Sequence, residues 1–361
     1  MSVPSEKVGV LVVNFGEPDE PTVEKVQPFL ERIFLQNAGL EPNEAVLARA
    51  RQLAADRAPG LVEEYVSIGG SPLNGQADVQ TEALGRALAG RGWDVRAYSA
   101  FQFSGPTVGE NIAEARADGV ETLAVLPGYP ICGQSTTVAA LDAARAALAE
   151  QGWDPRFVGI SGWHQHPGYV SLRVENIRSF VTERGLDLAD PDTLLHFSVH
   201  GTPIKYLNEG NRYDRYVEEQ CREIAAALGA DRYGVGFQNH TNRRIAWTQP
   251  DNEDRIREAP ERKLVVVPIS FMHEQSETLA ELDHEMREFV EGLGKEFHRV
   301  PVPHGAPAFA ECLADLVESL VSGPERADVP LARCRCAPGA GIWCTNGARD
   351  LPPSPFGPAG R

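Results

Sequence analysis

The side chain best placed to do chemistry in this chain of 361 residues is a histidine at the end of a short apolar run. In FSVHGTP (197–203) the run ends at His200, and Gly201 and Pro203 stop it at once. This pattern is typical of a strand that presents its last side chain at the carboxyl edge of a sheet, where open α/β sheets form ligand crevices. A histidine there is often only a structural hydrogen-bonding group, but it is also a proton acceptor and a metal ligand near neutral pH.

A row of carboxylates follows a second apolar run, in KLVVVPISFMHEQSETLAELD (263–283). Glu274, Glu277 and Glu281 are three and four residues apart, so a helix would place them on one face. Such a row is commonly a solvated face near a helix N-terminus. Carboxylates that meet an imidazole are also metal ligands and proton acceptors. Because position 277 is Glu, the stretch lacks the second histidine of the H-E-x-x-H zinc motif.

A polar loop at 237–250 carries several groups that could hold a flat anionic ligand. An aromatic ring beside cations can stack on such a ligand and pair with its carboxylates, although an ordinary polar loop has the same composition. The residues concerned are Gln238, His240, Arg243, Arg244 and Trp247.

The six cysteines are not spread like a disulfide framework, because three of them lie close together near the C-terminus. Cys334, Cys336 and Cys344 would supply three thiolates, and a fourth from elsewhere would complete an iron–sulfur cluster or a structural zinc site. Spacing alone does not choose between these two sites, and free thiols are a third alternative.

Composition limits the kinds of partner. The formal net charge of −17 argues against nucleic acid, which requires clustered Lys and Arg. The N-terminus lacks the pattern of a secretion signal, and no run approaches the ~18 apolar residues of a membrane-spanning helix. We therefore expect a soluble, cytoplasmic protein. An apolar stripe at 23–35 predicts a core-facing helix, the lip of a ligand cleft, or a peripheral contact with a membrane.

Alternation of strands and helices must position these residues. Apolar runs such as VGVLVVNF (8–15) predict strands buried on both faces, and helical patterns between them predict βαβ units and a parallel sheet. The scheme restarts in the second half. We expect an α/β lobe over 1–160, a second over 161–322, whose last helix could pack back on the first, and a linker with a cysteine-containing tail over 323–361 whose end is disordered.

Several stretches, in this order along the chain, resemble the ferrochelatases, enzymes that insert ferrous iron into a porphyrin in haem synthesis. The resemblance covers roughly residues 8–322 and rests on GVLVVNFGEP (9–18), PFLERIFL (28–35), EEYVSIGGSPLNGQ (63–76), YPICGQSTT (129–137), FSVHGTP (197–203), the loop that ends in Trp247 and Pro250, and VPISFMHEQSETLAELD (267–283).

This resemblance implies a type II chelatase-like fold: two similar doubly wound lobes, each a parallel sheet flanked by helices, with the porphyrin cleft between them. It also implies that His200 and Glu277 are the catalytic pair and contact the substrate iron, while Glu274 and Glu281 line a path for protons or metal. The residues implied to bind the porphyrin are Phe15, Leu30, Arg32, Ile68, Trp247 and Phe271. The chain departs from the usual family pattern at Gln275, where a histidine is common.

The resemblance further implies a possible 2Fe–2S cluster on Cys334, Cys336 and Cys344, with Cys132 as the candidate fourth ligand. The expected reaction is Fe²⁺ insertion into protoporphyrin IX or coproporphyrin III by a monomer or homodimer. The alternatives are a chelatase for another metal and tetrapyrrole, and a porphyrin or haem carrier without enzymatic activity.

Overall fold

Two parallel β-sheets form the frame of the protein. The structure is a computed structural model, which describes residues 6–40, 45–239, 245–323, 329–346 and 351–357. The first half alternates strands and helices: β1 (Val8–Asn14), α1 (Val23–Gln36), a 3₁₀ turn (Ala38–Leu40), α2 (Val46–Ser67), α3 (Leu73–Gly90), β2 (Val95–Phe101), α4 (Val108–Ala117), β3 (Thr122–Pro127), a π-helical turn (Gln134–Val138), α5 (Ala139–Glu150), β4 (Arg156–Ile160) and α6 (Pro167–Glu183).

The second half repeats the alternation and ends in two short strands. Its elements are β5 (Thr193–His200), α7 (Ile204–Asn208), α8 (Tyr213–Leu228), β6 (Tyr233–Gln238), α9 (Asn252–Glu258), β7 (Lys263–Pro268), a π-helical segment (Glu277–Met286), α10 (Arg287–Gly292), β8 (Glu296–Arg299), α11 (Pro307–Ser322), β9 (Ala332–Arg333) and β10 (Ile342–Cys344).

The two sheets have the same strand order, which confirms the predicted α/β class with two similar doubly wound halves. The first sheet contains the order β2-β1-β3-β4, and the second sheet has the order β6-β5-β7-β8. The strand order therefore reverses between β1 and β3 in the first sheet and between β5 and β7 in the second. The pairs among these eight strands are all parallel. Ligand crevices of doubly wound sheets lie at the carboxyl ends of strands where the order reverses. The fold therefore predicts a ligand crevice at the carboxyl ends of β1, β3, β5 and β7.

Burial explains why these strands form where the apolar runs predict them. All seven residues of β1 are buried, as are seven of the eight in β5, and His200 at its end is partly exposed. One apolar cluster includes side chains from both sheets, among them Leu11 and Val13 of β1 and Phe197 and Val199 of β5. The two halves therefore share core, and the division at residue 160 stays a prediction.

The C-terminal part returns to the first sheet. Helix α11 packs on α3, β3 and β4. Beyond it, β10 pairs in parallel with β4, and β9 pairs antiparallel with β10. Residues 351–357 lie against the second half, where the rings of Phe356 and Phe237 are 5.4 Å apart and Arg215 donates a hydrogen bond of 2.8 Å to the Leu351 carbonyl. The end of the chain was predicted to be disordered, and its last residues, 358–361, lie outside the described residues.

In the described parts of the chain, no helix is long and apolar enough to cross a membrane. Peripheral contact with a membrane, the cytoplasmic location and the choice between monomer and homodimer stay predictions.

Candidate active site

A cleft of about 1750 Å³, including space open to solvent, lies at the carboxyl ends of both sheets. Asn14 ends β1, Gly128 follows β3, His200 ends β5 and Ser270 follows β7, and all four line this cleft. Of the residues predicted to form the site, those that line it are Phe15, Leu30, His200, Trp247, Phe271, Glu277 and Glu281. The tertiary structure thus brings the predicted histidine and two of the three predicted carboxylates to one cavity.

His200 is held through its backbone and its ring. Its backbone N–H donates to Ser270 Oγ at 3.0 Å, and its carbonyl accepts from the Tyr213 hydroxyl at 2.9 Å. Nδ1 lies 2.7 Å from the Gly201 carbonyl oxygen. Because a carbonyl only accepts, Nδ1 carries the hydrogen, and the neutral ring keeps its lone pair on Nε2. That nitrogen is the one able to bind a metal or take a proton.

Glu277 begins the π-helical segment, and polar neighbours fix its carboxylate. Oε2 accepts from Gln275 Nε2 at 2.7 Å, and Ser276 Oγ lies 2.9 Å from it. Gln238, at the end of β6, donates from its amide to the Glu277 carbonyl at 3.0 Å and to Glu281 Oε2 at 2.9 Å. Gln238 of the second sheet therefore holds the Glu277 backbone and the Glu281 carboxylate, and Gln275 supplies a hydrogen bond to the Glu277 carboxylate although it is not a histidine.

A third carboxylate, that of Glu17, lies in the same cleft, and it was not among the predicted site residues. Glu17 follows β1 and is 2% exposed. Its Oε1 accepts from the Tyr65 hydroxyl at 2.8 Å, and Ser276 Oγ lies 2.5 Å from it. The sequence did hold a signal for it, since NFGEP places an acid three residues beyond a fully buried strand, at the edge where ligands bind.

Two carboxyl groups of the cleft, those of Glu17 and Glu281, retain protons more readily than ordinary ones. Burial, together with the charge of Glu277, raises the pKa of Glu17 to about 7. The same two causes raise the pKa of Glu281 to about 8. Desolvation disfavours the charged form of a carboxyl group, and a nearby like charge adds to the effect. These groups can therefore accept and release protons near neutral pH.

The predicted position of Glu274 on the acidic helix face is wrong, because the helix begins at Glu277. Glu274 precedes it, and its Oε1 accepts from Arg299 Nη1 at 2.7 Å and from the Val302 backbone N–H at 2.8 Å. Its own N–H donates to Gln76 Oε1 at 2.8 Å. Glu274 is not among the described residues that line the cleft. The contacts tie the segment before Glu277 to β8 and its neighbourhood.

Arg32 and Ile68 also lie outside the set of described residues that line the cleft. Arg32 Nε donates to the Phe103 carbonyl at 2.8 Å, so it holds the loop behind the cleft wall. Ile68 ends α2 and packs against the apolar cluster formed by α1, α2 and Phe103. Both residues support the wall, and direct contact with a porphyrin stays a prediction for them.

The opposite wall of the cleft is apolar. Phe15 packs on Phe103 and Phe29, with ring centroids 4.6 and 6.1 Å apart. From the stripe on α1, Phe29 and Leu30 are buried, and both line the cleft together with Ile33 and Phe34. The stripe therefore serves as core and as the lip of the cleft. Trp247 forms a bridge to Pro203 in the loop after His200.

In the polar loop, His240, Arg243 and Arg244 lie outside the described residues.

Four cysteines meet at the edge of the first sheet. Cys132 follows β3, and its thiol forms hydrogen bonds with those of Cys334 and Cys336. Hydrogen bonds from Cys132, Cys336 and Cys344 lower the pKa of the Cys334 thiol. Cys132, Cys334 and Cys344 are buried. Pairing of β10 with β4 is what carries the tail cysteines to this place.

In the present arrangement, no group of three or more His, Cys, Asp or Glu side chains among the described residues is set to hold a metal ion. Hydrogen bonds connect the four thiols, Cys132 with Cys334 and Cys336, and Cys344 with Cys334. Their convergence is nevertheless a property of the fold rather than of the sequence spacing.

Comparison with known proteins identifies relatives across almost the whole chain. The family model described as ferrochelatase matches residues 7–320. A ferrochelatase of Synechococcus sp. (strain RCC307) is 34% identical over 335 residues, which covers 88% of this chain and 84% of the relative. A ferrochelatase of Gloeobacter violaceus is 32% identical, covering 86% and 97%. A ferrochelatase of Geotalea uraniireducens is 30% identical, covering 88% and 99%.

Solved structures give a weaker likeness. SirB from Bacillus subtilis with Fe³⁺ is 12% identical with a TM-score of 0.49, covering 86% of this chain and 95% of that one. CbiX, described as the terminal enzyme for biosynthesis of siroheme in denitrifying bacteria, is 14% identical with a TM-score of 0.48, covering 87% and 99%.

Proposed function

This chain belongs to the ferrochelatase family, and on that premise we propose that it inserts Fe²⁺ into a porphyrin, with release of two protons, in haem synthesis. One observation about the site carries the proposal. His200 and the carboxyl groups of Glu17, Glu277 and Glu281 line a single cleft whose other wall is made of apolar and aromatic side chains.

The two kinds of wall suit the two substrates. A porphyrin is a large flat apolar ring, and burial of its faces against Phe15, Leu30 and the α1 lip provides binding free energy through the hydrophobic effect. The acidic side attracts a divalent cation, because a cleft lined by one sign of charge raises the local concentration of the opposite sign. The substrate iron and the porphyrin nitrogens would then meet between these walls.

His200 and Glu277 are the residues that we propose to contact the iron and to take the pyrrole protons. Insertion replaces two N–H protons by one Fe²⁺, so the site must accept two protons as the metal enters. Nε2 of neutral His200 and the Glu277 carboxylate are both proton acceptors and metal ligands. Glu281, which shares Gln238 with Glu277, extends the acidic side of the cleft.

The test is anaerobic insertion of Fe²⁺, with protoporphyrin IX and coproporphyrin III offered side by side. His200→Ala and Glu277→Ala should each lower kcat by about 10²-fold or more, the usual size of a lost proton-transfer group. The matched controls are His284→Ala and Glu288→Ala, which remove exposed side chains on the continuous helix that begins at Glu277. These controls should keep the rate of the wild type.

Each outcome of this assay distinguishes between candidate substrates, residue roles or functions. The porphyrin that wild type metallates faster is its substrate. Wild-type turnover in His200→Ala or Glu277→Ala would remove that residue from the mechanism. Tight porphyrin binding by wild type without iron insertion would contradict the proposed reaction and support a carrier, and insertion of only another metal would support a different chelatase.

We propose, separately, that Cys132, Cys334, Cys336 and Cys344 hold a 2Fe–2S cluster. The donor set fits such a group, since four thiolates are its usual ligands. The surroundings also suit sulfur ligands: the Ala337 backbone N–H lies 3.1 Å from Cys334 Sγ, and the Tyr216 hydroxyl lies 3.7 Å from Cys336 Sγ. A bound cluster would supply one-electron redox capacity and a crosslink between β3 and the tail.

The cluster proposal is tested by absorbance and by iron and sulfide content after anaerobic purification. Wild type should be coloured before porphyrin is added, whereas Cys132→Ser and Cys336→Ser should bleach it. Cys221→Ala, which removes a thiol buried on α8, is the control and should keep the colour. A colourless wild type that contains stoichiometric zinc would show that the four cysteines form a zinc site and not a cluster. A wild type without metal would show that they are free thiols.

A further inference from the structure

We propose that Glu17 serves iron insertion as a proton acceptor behind Glu277, which it reaches through the hydroxyl of Ser276. The inference rests on the proposed function, because it concerns the protons that the entering iron displaces. Glu17 acts through Ser276 and Glu277, so it is a positioning residue and not a catalytic one.

The hydrogen bonds between the three side chains require a mobile proton. Ser276 Oγ lies 2.5 Å from Glu17 Oε1 and 2.9 Å from Glu277 Oε2. A hydroxyl group carries one hydrogen and can donate to only one of the two oxygens. The other contact is a hydrogen bond only if that carboxyl is protonated and donates to Ser276. The arrangement is therefore complete with one proton shared between Glu17 and Glu277.

The surroundings of Glu17 hold its carboxyl group in this place. The Tyr65 hydroxyl donates to Oε1 at 2.8 Å, and the Ser71 hydroxyl donates to Oε2. Asn74 fixes the backbone, since its Oδ1 accepts from the Glu17 N–H at 3.0 Å and its Nδ2 donates to the Glu17 carbonyl at 2.8 Å. A carboxyl fixed on both sides keeps its orientation toward Ser276.

No cation among the described cleft residues is available to balance Glu17. Arg57 is the one guanidinium that they include, and it pairs with Glu64 at 2.7 Å. A buried carboxylate without a counter-ion is costly, and taking up a proton relieves that cost. The pKa of Glu17, raised to about 7 by burial and by the charge of Glu277, places the uptake near neutral pH.

The proton transfer balances without any further reactant. When Glu277 has taken a pyrrole proton, the Glu277 Oε2–H bond breaks as a bond forms between that proton and Ser276 Oγ. The original Ser276 O–H bond breaks at the same time, and its proton bonds to Glu17 Oε1. The net result is a neutral Glu17 and a Glu277 carboxylate that is free to accept again.

Other titratable and charged groups face the same cleft and must be considered in a pH experiment. They are Arg57, Glu64 and Tyr65 from α2, Tyr129 from the loop after β3, His200 from β5, Tyr213 from α8, and His273, Glu277 and Glu281 from the segment after β7. Because wild type and variant both contain these groups, the informative quantity is the ratio of the two rates at each pH.

The decisive experiment compares wild type with Glu17→Gln, Ser276→Ala and the double variant in the iron-insertion assay at pH 6 and pH 8. Glutamine keeps the shape and accepts hydrogen bonds but takes no proton. At pH 8 we expect kcat to fall about tenfold, less than the ~10²–10⁴-fold of a group that transfers protons directly, because Glu17 acts through Ser276 and Glu277; KM for the porphyrin should be unchanged. At pH 6 the wild-type Glu17 is already protonated, so the ratio should approach one. Glu20→Gln, an exposed carboxylate in the same loop, is the control.

The double variant should be no slower than either single variant, because all three remove the same relay. Equal kcat for wild type and Glu17→Gln at pH 8, the same loss at both pH values, or a change in KM alone would overturn the inference and leave Glu17 a structural role. If Glu17→Gln does not fold, Ser276→Ala decides by the same criteria. A wild type that inserts no iron would overturn the proposed function, and this inference with it.

Discussion

Neutralising Glu274 should cost stability and spare catalysis, whereas the resemblance to the ferrochelatases implied a place in the path for protons or metal. Its Oε1 lies 2.7 Å from Arg299 Nη1, and these side chains are 11% and 9% exposed, respectively. Arg299 also binds Asp283, with Nε 2.8 Å from Oδ1. The ion pair between Glu274 and Arg299 links the segment before Glu277 to β8. Loss of this pair should weaken the structural support of the site and leave its chemistry unchanged.

The magnitudes follow from what each substitution leaves behind. Arg299→Met leaves two carboxylates without their partner, and breaking a buried ion pair costs about 3–5 kcal/mol. Glu274→Gln keeps an oxygen for the Val302 N–H and leaves Arg299 paired with Asp283. It loses one charge-assisted hydrogen bond, worth about 1.5–3 kcal/mol. For a chain of this length, where 1 kcal/mol shifts Tm by about 1.3 °C, Tm should fall by about 4–7 °C for Arg299→Met and by about 2–4 °C for Glu274→Gln.

The assay pairs thermal unfolding with the iron-insertion rate per folded molecule, measured well below each Tm. Arg178→Met removes an exposed ion pair with Glu175 and should change stability by about 0–1 kcal/mol, which makes it the control. We expect Glu274→Gln to keep most of the insertion rate. An unchanged Tm with a rate reduced as far as in Glu277→Ala would refute the structural role and return Glu274 to the proton path.

Two further predictions concern the cleft. The pKa of Glu281 is raised in the folded protein to about 8, so the native state binds more protons than the unfolded state, and the stability that this provides is lost as the pH rises through about 8. Glu281→Gln should therefore have the same Tm as wild type at pH 5 and a higher Tm at pH 9. A larger Tm difference at pH 5 than at pH 9 would contradict this prediction. Tyr213→Phe removes the hydroxyl that donates to the His200 carbonyl, and it should lower the free energy of unfolding by about 1 kcal/mol. Steady-state kinetics should show kcat lowered several-fold with no change in KM for the porphyrin. An unaltered kcat would show that this hydrogen bond does not position His200.

Much of the fold could be predicted because its signals are local. The apolar runs at 8–15 and 194–199 became strands that are buried on both faces, and the turn after His200 left its imidazole at the carboxyl edge of a sheet. Alternation of strands and helices gave the α/β class and the repeated halves. The prediction failed at Glu274, where helical spacing was extended across three residues that precede the helix. Spacing identifies a shared face only within the element, and the boundaries of an element are its least predictable feature.

The sequence by itself determined which segments are strands and which side chains stand at their ends, because burial and turn formation depend on neighbours a few residues away. Only the tertiary structure decided which ends meet. Glu17 and Ser276 are 259 residues apart, yet they share a hydrogen bond, and Cys132 reaches the tail cysteines because β10 pairs with β4. Closing a longer loop costs little additional entropy, so chain distance does not determine which residues meet. Packing of the two sheets and the tail does, and that packing assembles the acidic cleft.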